Sequence, residues 1–256
     1  MTDPDPTHRF SDRVEDYARY RPKYPRAVID VLREEVGLEA TWVVADVGSG
    51  TGISSELFLD NGNPVHAVEP NDAMRAEAER RLGDRPGFHS VPGSAERTGL
   101  PPESAELAVA AQAFHWFDAA RARDELACIL RPPWWTVVMW NTRHIDRSAF
   151  LRDYESLLLR HGTDYRQVRH DRREGDIDVL FAQGFTRHVV PNEQQLDWAA
   201  LQGRLLSSSY TPADGDPARE PMLAELRRIF EAHAVDGVVR MSYDTELLIG
   251  RVSRAT

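Results

Sequence analysis

The sequence predicts an α/β fold: a doubly wound, mostly parallel sheet of about seven strands, with a helical insertion after the fifth strand and an N-terminal helical lid. Two observations carry this. Between residues 42 and 140, short β-prone runs alternate with helical segments, the rhythm of parallel strands joined by crossover helices. The first of these runs ends in Gly48-Ser49-Gly50-Thr51-Gly52, a glycine-rich strand-to-helix turn of the kind that meets ligands at the carboxyl edge of an open sheet.

The elements follow in order. Residues 1–8 are polar with two prolines and predict a frayed tail. Val14, Tyr17, Ala18 and Tyr20 recur at near-helical spacing over residues 11–20, and Pro22 stops the pattern. A second helix, 25–36, opens on a first-turn proline and ends at Gly37. Strands are expected at 42–47, 64–68, 88–91, 106–111 and 134–140, with helices at 54–60, 71–82 and 118–130; Asn71 is the expected N-cap of the second of these helices. After Asn141 the rhythm breaks. Helices are expected at 148–161 and 197–207 and a strand at 185–190, followed by a helix over 221–234 and a last, antiparallel strand over 239–252. The expected organisation is a single domain, 1–256, with a cofactor-binding half at 38–141. Residues 142–220 are the expected insertion or substrate cap, and 221–256 a helix and strand completing the sheet.

Composition narrows the function classes. The 256 residues are 41% hydrophobic and 28% charged, which is ordinary for a globular chain. A net charge of -10 repels phosphate backbones, so no nucleic-acid partner is expected. The arginine-dense stretch 166–173 reads as a solvated face, although such a cluster can act against the overall sign. A single cysteine, Cys128, excludes an intramolecular disulfide and a multi-cysteine metal site; its apolar neighbours make it read as a small buried hydrophobe. No metal is expected, since His161, His170 and His188 are dispersed. The N-terminus has neither a basic start nor an apolar stretch, and no apolar run approaches the roughly 20 residues of a membrane span. A cytoplasmic monomer or homodimer with no membrane partner is the expectation.

The glycine turn carries the cofactor argument. A dinucleotide site of the form Gly-x-Gly-x-x-Gly would need glycine at position 53, which is Ile53; the third glycine comes one residue early, at Gly52. That spacing argues against nicotinamide and flavin cofactors. About 20 residues on, Glu69 ends the second strand, where an acid can accept two hydrogen bonds from ribose hydroxyls.

Asp46-Val47-Gly48-Ser49-Gly50-Thr51-Gly52 resembles motif I of the class I S-adenosylmethionine-dependent methyltransferases, whose fold is Rossmann-like, and Val68-Glu69-Pro70 resembles the acidic end of their second strand. Arg21-Pro22-Lys23-Tyr24-Pro25, Gly93-Ser94-Ala95-Glu96 with Leu100-Pro101, Ala111-Gln112-Ala113-Phe114-His115-Trp116-Phe117 and Trp140-Asn141 are similar to the trans-aconitate methyltransferase-like subgroup. The resemblance spans residues 10–145. It implies S-adenosyl-L-methionine as cofactor, with Asp46 and the backbone of Gly48 and Gly50 on the methionine end. Glu69, with Pro70, would hold the ribose, Ala95 and Glu96 the adenine edge, and Gln112 the methionine portion. Ser94 stands where many relatives carry Asp, which removes an expected side-chain bond to adenine. Arg131-Pro132-Pro133-Trp134-Trp135 replaces a usual Pro-Gly-Gly; proline fixes φ and tryptophan resists positive φ, so this turn is expected to be built differently.

Methyl transfer from a sulfonium is an in-line displacement, so alignment and exclusion of water dominate and an acid-base pair is optional. A carboxylate acceptor is already ionised; a hydroxyl, phenol or ammonium needs a base. Two roles are open to His115, the base or a residue that shapes the pocket. Trp116 and Phe117 are candidate acceptor walls or core. Tyr17, Tyr20 and Tyr24 either cover the cofactor as an aromatic lid or dock the first helix on the sheet. Arg143, His144 and Arg147 either pair with an anionic acceptor or form ordinary salt bridges with Asp146 or Asp153. The acceptor is expected to be a small molecule, with O-methylation of a carboxylic acid or hydroxyl in first place. A binding protein without transfer activity and a macromolecular methyltransferase are the alternatives.

Overall fold

The computed structural model describes residues 18–165 and 174–253. Its centre is a seven-stranded sheet of order β3-β2-β1-β4-β5-β7-β6, comprising β1 (Val44–Val47), β2 (Val65–Val68), β3 (Phe88–Val91), β4 (Ala105–Ala111), β5 (Leu130–Arg143), β6 (Phe185–Leu196) and β7 (Val239–Arg251). The first five strands run parallel, and β7 runs antiparallel to both β5 and β6. All four residues of β1 are buried, as expected of a central parallel strand covered on both faces.

Helices cover the two faces. On one, α1 (Ala27–Val36) and α2 (Ile53–Asn61) bury Val28, Ile29, Leu32, Phe58 and Leu59 against Val44, Val65 and Val109. On the other, α4 (Ala119–Ile129) and α6 (Glu174–Leu180) pack together and place Leu126, Ile129 and Ile177 against Ala45, Val47 and Val138. The alternation along β1 decides which face each residue meets: Val44 and Asp46 share a face, Ala45 and Val47 the other. Local chemistry sets the helix ends. Asn71 caps α3 (Asp72–Leu82) by accepting from the Met74 N–H, and Asp118 and Ser148 cap α4 and α5 (Ala149–His161) in the same way. Gly37 ends α1 in the left-handed conformation. Pro25 lies one residue before the α1 N-cap, Arg26, rather than in its first turn.

A third apolar cluster forms a cap. Helices α5, α7 (Trp198–Leu206) and α8 (Arg219–His233) bury Tyr154, Leu157, Leu201, Leu205 and Leu226 with Met241 and Tyr243 of β7. β6 and β7 reach beyond the end of β5, where Leu196 pairs with Val239 and Glu193 with Ser242, and this two-stranded arm carries the cap.

Residues 142–220 are therefore not a purely helical insertion. Their strand runs twelve residues, twice the expected 185–190, and completes the main sheet as its edge. Pro191 is compatible with this position because an edge strand leaves one side of its backbone unpaired. β5 also exceeds expectation at both ends, and residues 131–134 at its start are exposed. There the chain turns through a cis Pro132–Pro133 peptide, and Trp134 adopts φ 61° despite its side chain. Cys128 is free and half-buried rather than buried.

Candidate functional site

The sheet order reverses between β1 and β4, and a ligand crevice forms at the carboxyl ends of strands on either side of such a switch point. A cavity of about 610 Å³ opens there, within the usual range for small-ligand sites. Its floor is the turn after β1. Gly48 has φ 70°, and a Cβ on it would lie 2.6 Å from the Ala113 methyl. Gly50 has φ 56°, and a Cβ there would meet nothing within 4 Å, so this residue opens the floor to the cavity. Gly52 does not line the cavity: a Cβ there would meet Leu82 of α3 at 2.6 Å, so its task is helix packing.

The turn uses its own N–H groups internally. Those of Gly48 and Ser49 donate to the Val68 carbonyl, and that of Gly50 donates to Glu69 Oε2 at 2.8 Å. Glu69 Oε1 accepts from the Asn71 N–H, also at 2.8 Å. Both glycine N–H groups are thus engaged within the turn, while the backbone of Gly48 and Gly50 lines the cavity. Glu69 lines the cavity, and each carboxylate oxygen retains acceptor capacity. Burial pushes its carboxyl up, opposed by the two N–H bonds.

Asp46 lies beneath the floor rather than in the cavity wall, and is fully buried. Its Oδ2 accepts from Ser54 Oγ at 2.7 Å and Ser55 Oγ at 2.6 Å, while Oδ1 has no partner among the described residues. Burial raises the carboxyl from 3.8 to about 6, against the hydroxyls of Ser55 and Ser54.

The remaining walls bring together most of the expected residues. Pro70, Ser94, Ala95, Glu96, Gln112 and His115 line the cavity. Glu96 Oε1 accepts from the Asp118 N–H, tying the 93–98 turn to α4. Gln112 ends β4 at φ 57°, unusual for a non-glycine residue and typical of a functionally constrained position. It is held by its N–H on the Met139 carbonyl and by Nε2 on that of Asn141. His115 sits in a 3-10 turn, Phe114–Trp116, its ring 4.7 Å from that of Trp116. Trp116 is half-exposed at the cavity; Phe117 is buried and touches it from the core.

Three other expected residues, Arg143, His144 and Tyr20, do not line the cavity. Arg143 is taken by Glu155 at 2.5 Å and by the Tyr165 hydroxyl at 2.9 Å, so neither Asp146 nor Asp153 is its partner. His144 pairs with Asp244 at 3.0 Å. Tyr20 presses its ring on Gly203 of α7, which makes it a docking residue. Tyr17 lies outside the described residues, as does 166–173. Among the described residues, no cluster of His, Cys, Asp and Glu could hold a metal.

In the wall opposite the sheet, sequence reasoning had given a site role to Tyr24 alone. Arg21, Tyr24, Arg204 and Tyr210 line it, with Asn141 as its hinge to the sheet. Asn141 Oδ1 accepts from Thr245 and Asn192, and Asn192 Nδ2 donates to the Lys23 carbonyl at 2.7 Å, so β5, β6, β7 and the N-terminal segment meet there. One signal was available for Arg204: it lies beside Leu201 and Leu205 on the buried face of α7, an unusual place for a cation.

The residues present fit S-adenosylmethionine: an open glycine floor, a buried acid at the second-strand end, and an unpartnered buried carboxylate oxygen below. A family profile described as Methyltransferase domain matches residues 45–134. An uncharacterized methyltransferase of Mycobacterium tuberculosis is 31% identical over 227 residues, covering 88% of this chain and 86% of the relative. A solved structure from Anaeromyxobacter dehalogenans, described as a candidate type II methyltransferase, shares 27% identity at a TM-score of 0.69, covering 92% of this chain and 100% of the other. Phosphoethanolamine N-methyltransferase 2 of Haemonchus contortus, solved with S-adenosyl-L-methionine, shares the fold at 14% identity and a TM-score of 0.53, covering 94% of this chain and 57% of the other. The chain belongs to the class I S-adenosylmethionine-dependent methyltransferases. It is an enzyme of that family with S-adenosylmethionine as its cofactor. None of the helices among the described residues is long and apolar enough to cross a membrane.

Proposed function

We propose that the enzyme methylates a small molecule, on the oxygen of a carboxylic acid or hydroxyl. The observation that carries this reading is the make-up of the cavity walls: the cap residues Arg204 and Tyr210 and the N-terminal residues Arg21 and Tyr24 line it together with the glycine floor. A space of about 610 Å³ walled in this way suits the cofactor with a compact acceptor better than a polymer, and the charge of -10 disfavours nucleic acid.

When bound, the cofactor supplies a sulfonium methyl as electrophile and a neutral thioether as leaving group. Glu69 would receive the ribose hydroxyls on the lone pairs its backbone bonds leave open. Ser94, Ala95 and Glu96 would border the adenine. Gln112, locked by Met139 and Asn141, would set the position of the methionine portion. Asp46 acts from below by holding Ser54, which does line the cavity. Trp116, His115 and Tyr24 exclude water from the acceptor. His115 serves chiefly to position the acceptor, since an ionised carboxylate needs no base.

Incubating the protein with methyl-labelled cofactor and a panel of small acids, phenols and amines tests the reading; label appearing only in protein or nucleic acid would sink it. Calorimetry should find micromolar-range affinity for S-adenosylhomocysteine and none for NAD, because the glycine spacing suits the first. Glu69→Ala is expected to weaken S-adenosylhomocysteine by about 1–3 kcal/mol, and an unchanged affinity in a folded variant would remove Glu69 from the site. His115→Gln should retain activity within about tenfold if the residue only positions the acceptor. A loss beyond about a thousandfold, with cofactor affinity intact, would make it the base.

A further inference from the structure

Among the described residues, Arg21 and Arg204 line the cavity from the N-terminal segment and the cap. Three arginines converge around Tyr210: Arg21, Arg143 and Arg204. Of these, Arg143 is engaged by Glu155, which also accepts from the Tyr165 hydroxyl at 2.6 Å. Arg204 is buried on α7, yet among the described residues it makes no ion pair. Its guanidinium reaches the Ser208 hydroxyl at 3.1 Å and the Tyr243 hydroxyl, and its Nε has no hydrogen-bond partner. A buried guanidinium left without an anion carries a desolvation cost that an opposite charge offsets. Arg204 borders the cavity, and so does half-buried Arg21, whose Nη2 bonds the Ser207 carbonyl at 3.0 Å just beyond α7.

We propose that the acceptor carries an anionic group, a carboxylate or a group of like charge, and that Arg204, with Arg21 beside it, receives this group at the cap end of the cavity. The inference rests on the methyltransferase reading and names the substrate class for it. Arg204 comes from the cap, whose Leu201 and Leu205 belong to the third apolar cluster, whereas the residues suited to the cofactor come from the strand ends. The planar fork of an arginine matches a carboxylate with two hydrogen bonds, which also fixes the orientation of what it holds. Tyr210, facing the cavity beside it, feels the same field. Burial would push its phenol up, but Arg204, Arg21 and Arg143 outweigh this and hold it below the usual range. An anion bound at Arg204 would cancel part of that field and let the phenol rise.

The test is calorimetry on protein saturated with S-adenosylhomocysteine, using benzoate, cinnamate and glutarate, each against its uncharged amide. At least one acid is expected to bind about tenfold or more tightly than its amide, as charge-assisted hydrogen bonds imply. Arg204→Met should erase that preference and leave S-adenosylhomocysteine affinity within about threefold. Because Arg204 is buried, Arg21→Gln serves as a second variant and should reduce the preference at least about threefold. As a separate readout, ultraviolet titration of wild type against Tyr210→Phe should show the Tyr210 phenol ionising at higher pH once the acid is bound. No acid preference in wild type, or an undiminished preference in whichever variant folds, overturns the proposal. So does a tenfold loss of S-adenosylhomocysteine affinity in Arg204→Met, which would assign the arginine to the cofactor's own carboxylate. Failure of S-adenosylhomocysteine to bind wild type is a different result, since it removes the cofactor reading itself.

Discussion

Gly48→Ala is expected to cost about 2–5 kcal/mol of stability. Two effects add. An L-residue held in the left-handed region costs about 1–2 kcal/mol, and Gly48 sits at φ 70°. The new methyl would also lie 2.6 Å from the Ala113 methyl and 3.4 Å from the Phe117 ring, and overpacking of this kind costs about 1–3 kcal/mol. Ala113 has no flexible end that could swing aside, so the 113–117 turn must move, carrying His115 and Trp116 with it. Cofactor affinity should therefore fall together with stability. Gly50→Ala is the control, because its φ is also positive while its Cβ would meet nothing within 4 Å; only the conformational cost of about 1–2 kcal/mol is expected. Denaturant midpoints of the two variants decide the matter. Equal losses would show that the close approach to Ala113 contributes nothing.

The second large effect is a pH dependence carried by Asp46. Its carboxyl is raised from 3.8 to about 6 by complete burial, and each unit corresponds to about 1.4 kcal/mol. A carboxyl held above its unfolded value favours the folded state below both pKa values, and that contribution is lost as pH rises through the folded one. Between pH 4 and pH 7.5, wild type should thus lose about 2.4 kcal/mol relative to Asp46→Asn. The slope is the readout, since the amide adds a constant offset of its own at Ser54 and Ser55. Parallel stability curves for the two proteins over that range would mean that the Asp46 carboxyl is not raised by burial. The unpartnered Oδ1 is where this cost would be offset by a donor, and added S-adenosylhomocysteine should flatten the wild-type slope if such a donor arrives with it.

Much of the cofactor half was legible in the residues because its determinants are local. The β-prone run, the three glycines and the helix that follows lie within 42–61, and Asn71 caps α3 from one residue before it. Strand-end positions also pointed Glu69 and His115 to one crevice, since in a parallel sheet every strand delivers its carboxyl end to the same edge, whereas Ser94 and Gln112 were expected there from the resemblance; all four line the cavity. β6 was half-seen. Its partner β7 begins about forty residues later, and the pairing that extends it through Pro191 to Leu196 leaves little trace in the strand's own polar sequence.

The turn's glycine spacing argued against a dinucleotide and its residues carried the resemblance that implies the cofactor, because spacing and motif are properties of a few consecutive residues. The acceptor end follows different physics. Arg143 ends β5 and Arg204 lies in the last turn of α7, yet one is neutralised by Glu155 and the other borders the cavity with no ion pair among the described residues. Tyr20 and Tyr24 share one short segment, and only Tyr24 reaches the crevice, because α7 offers Gly203 to the first. Long side chains take their roles from whatever distant element covers them, and the desolvation that makes a buried cation seek an anion exists only after the cap has closed over the sheet.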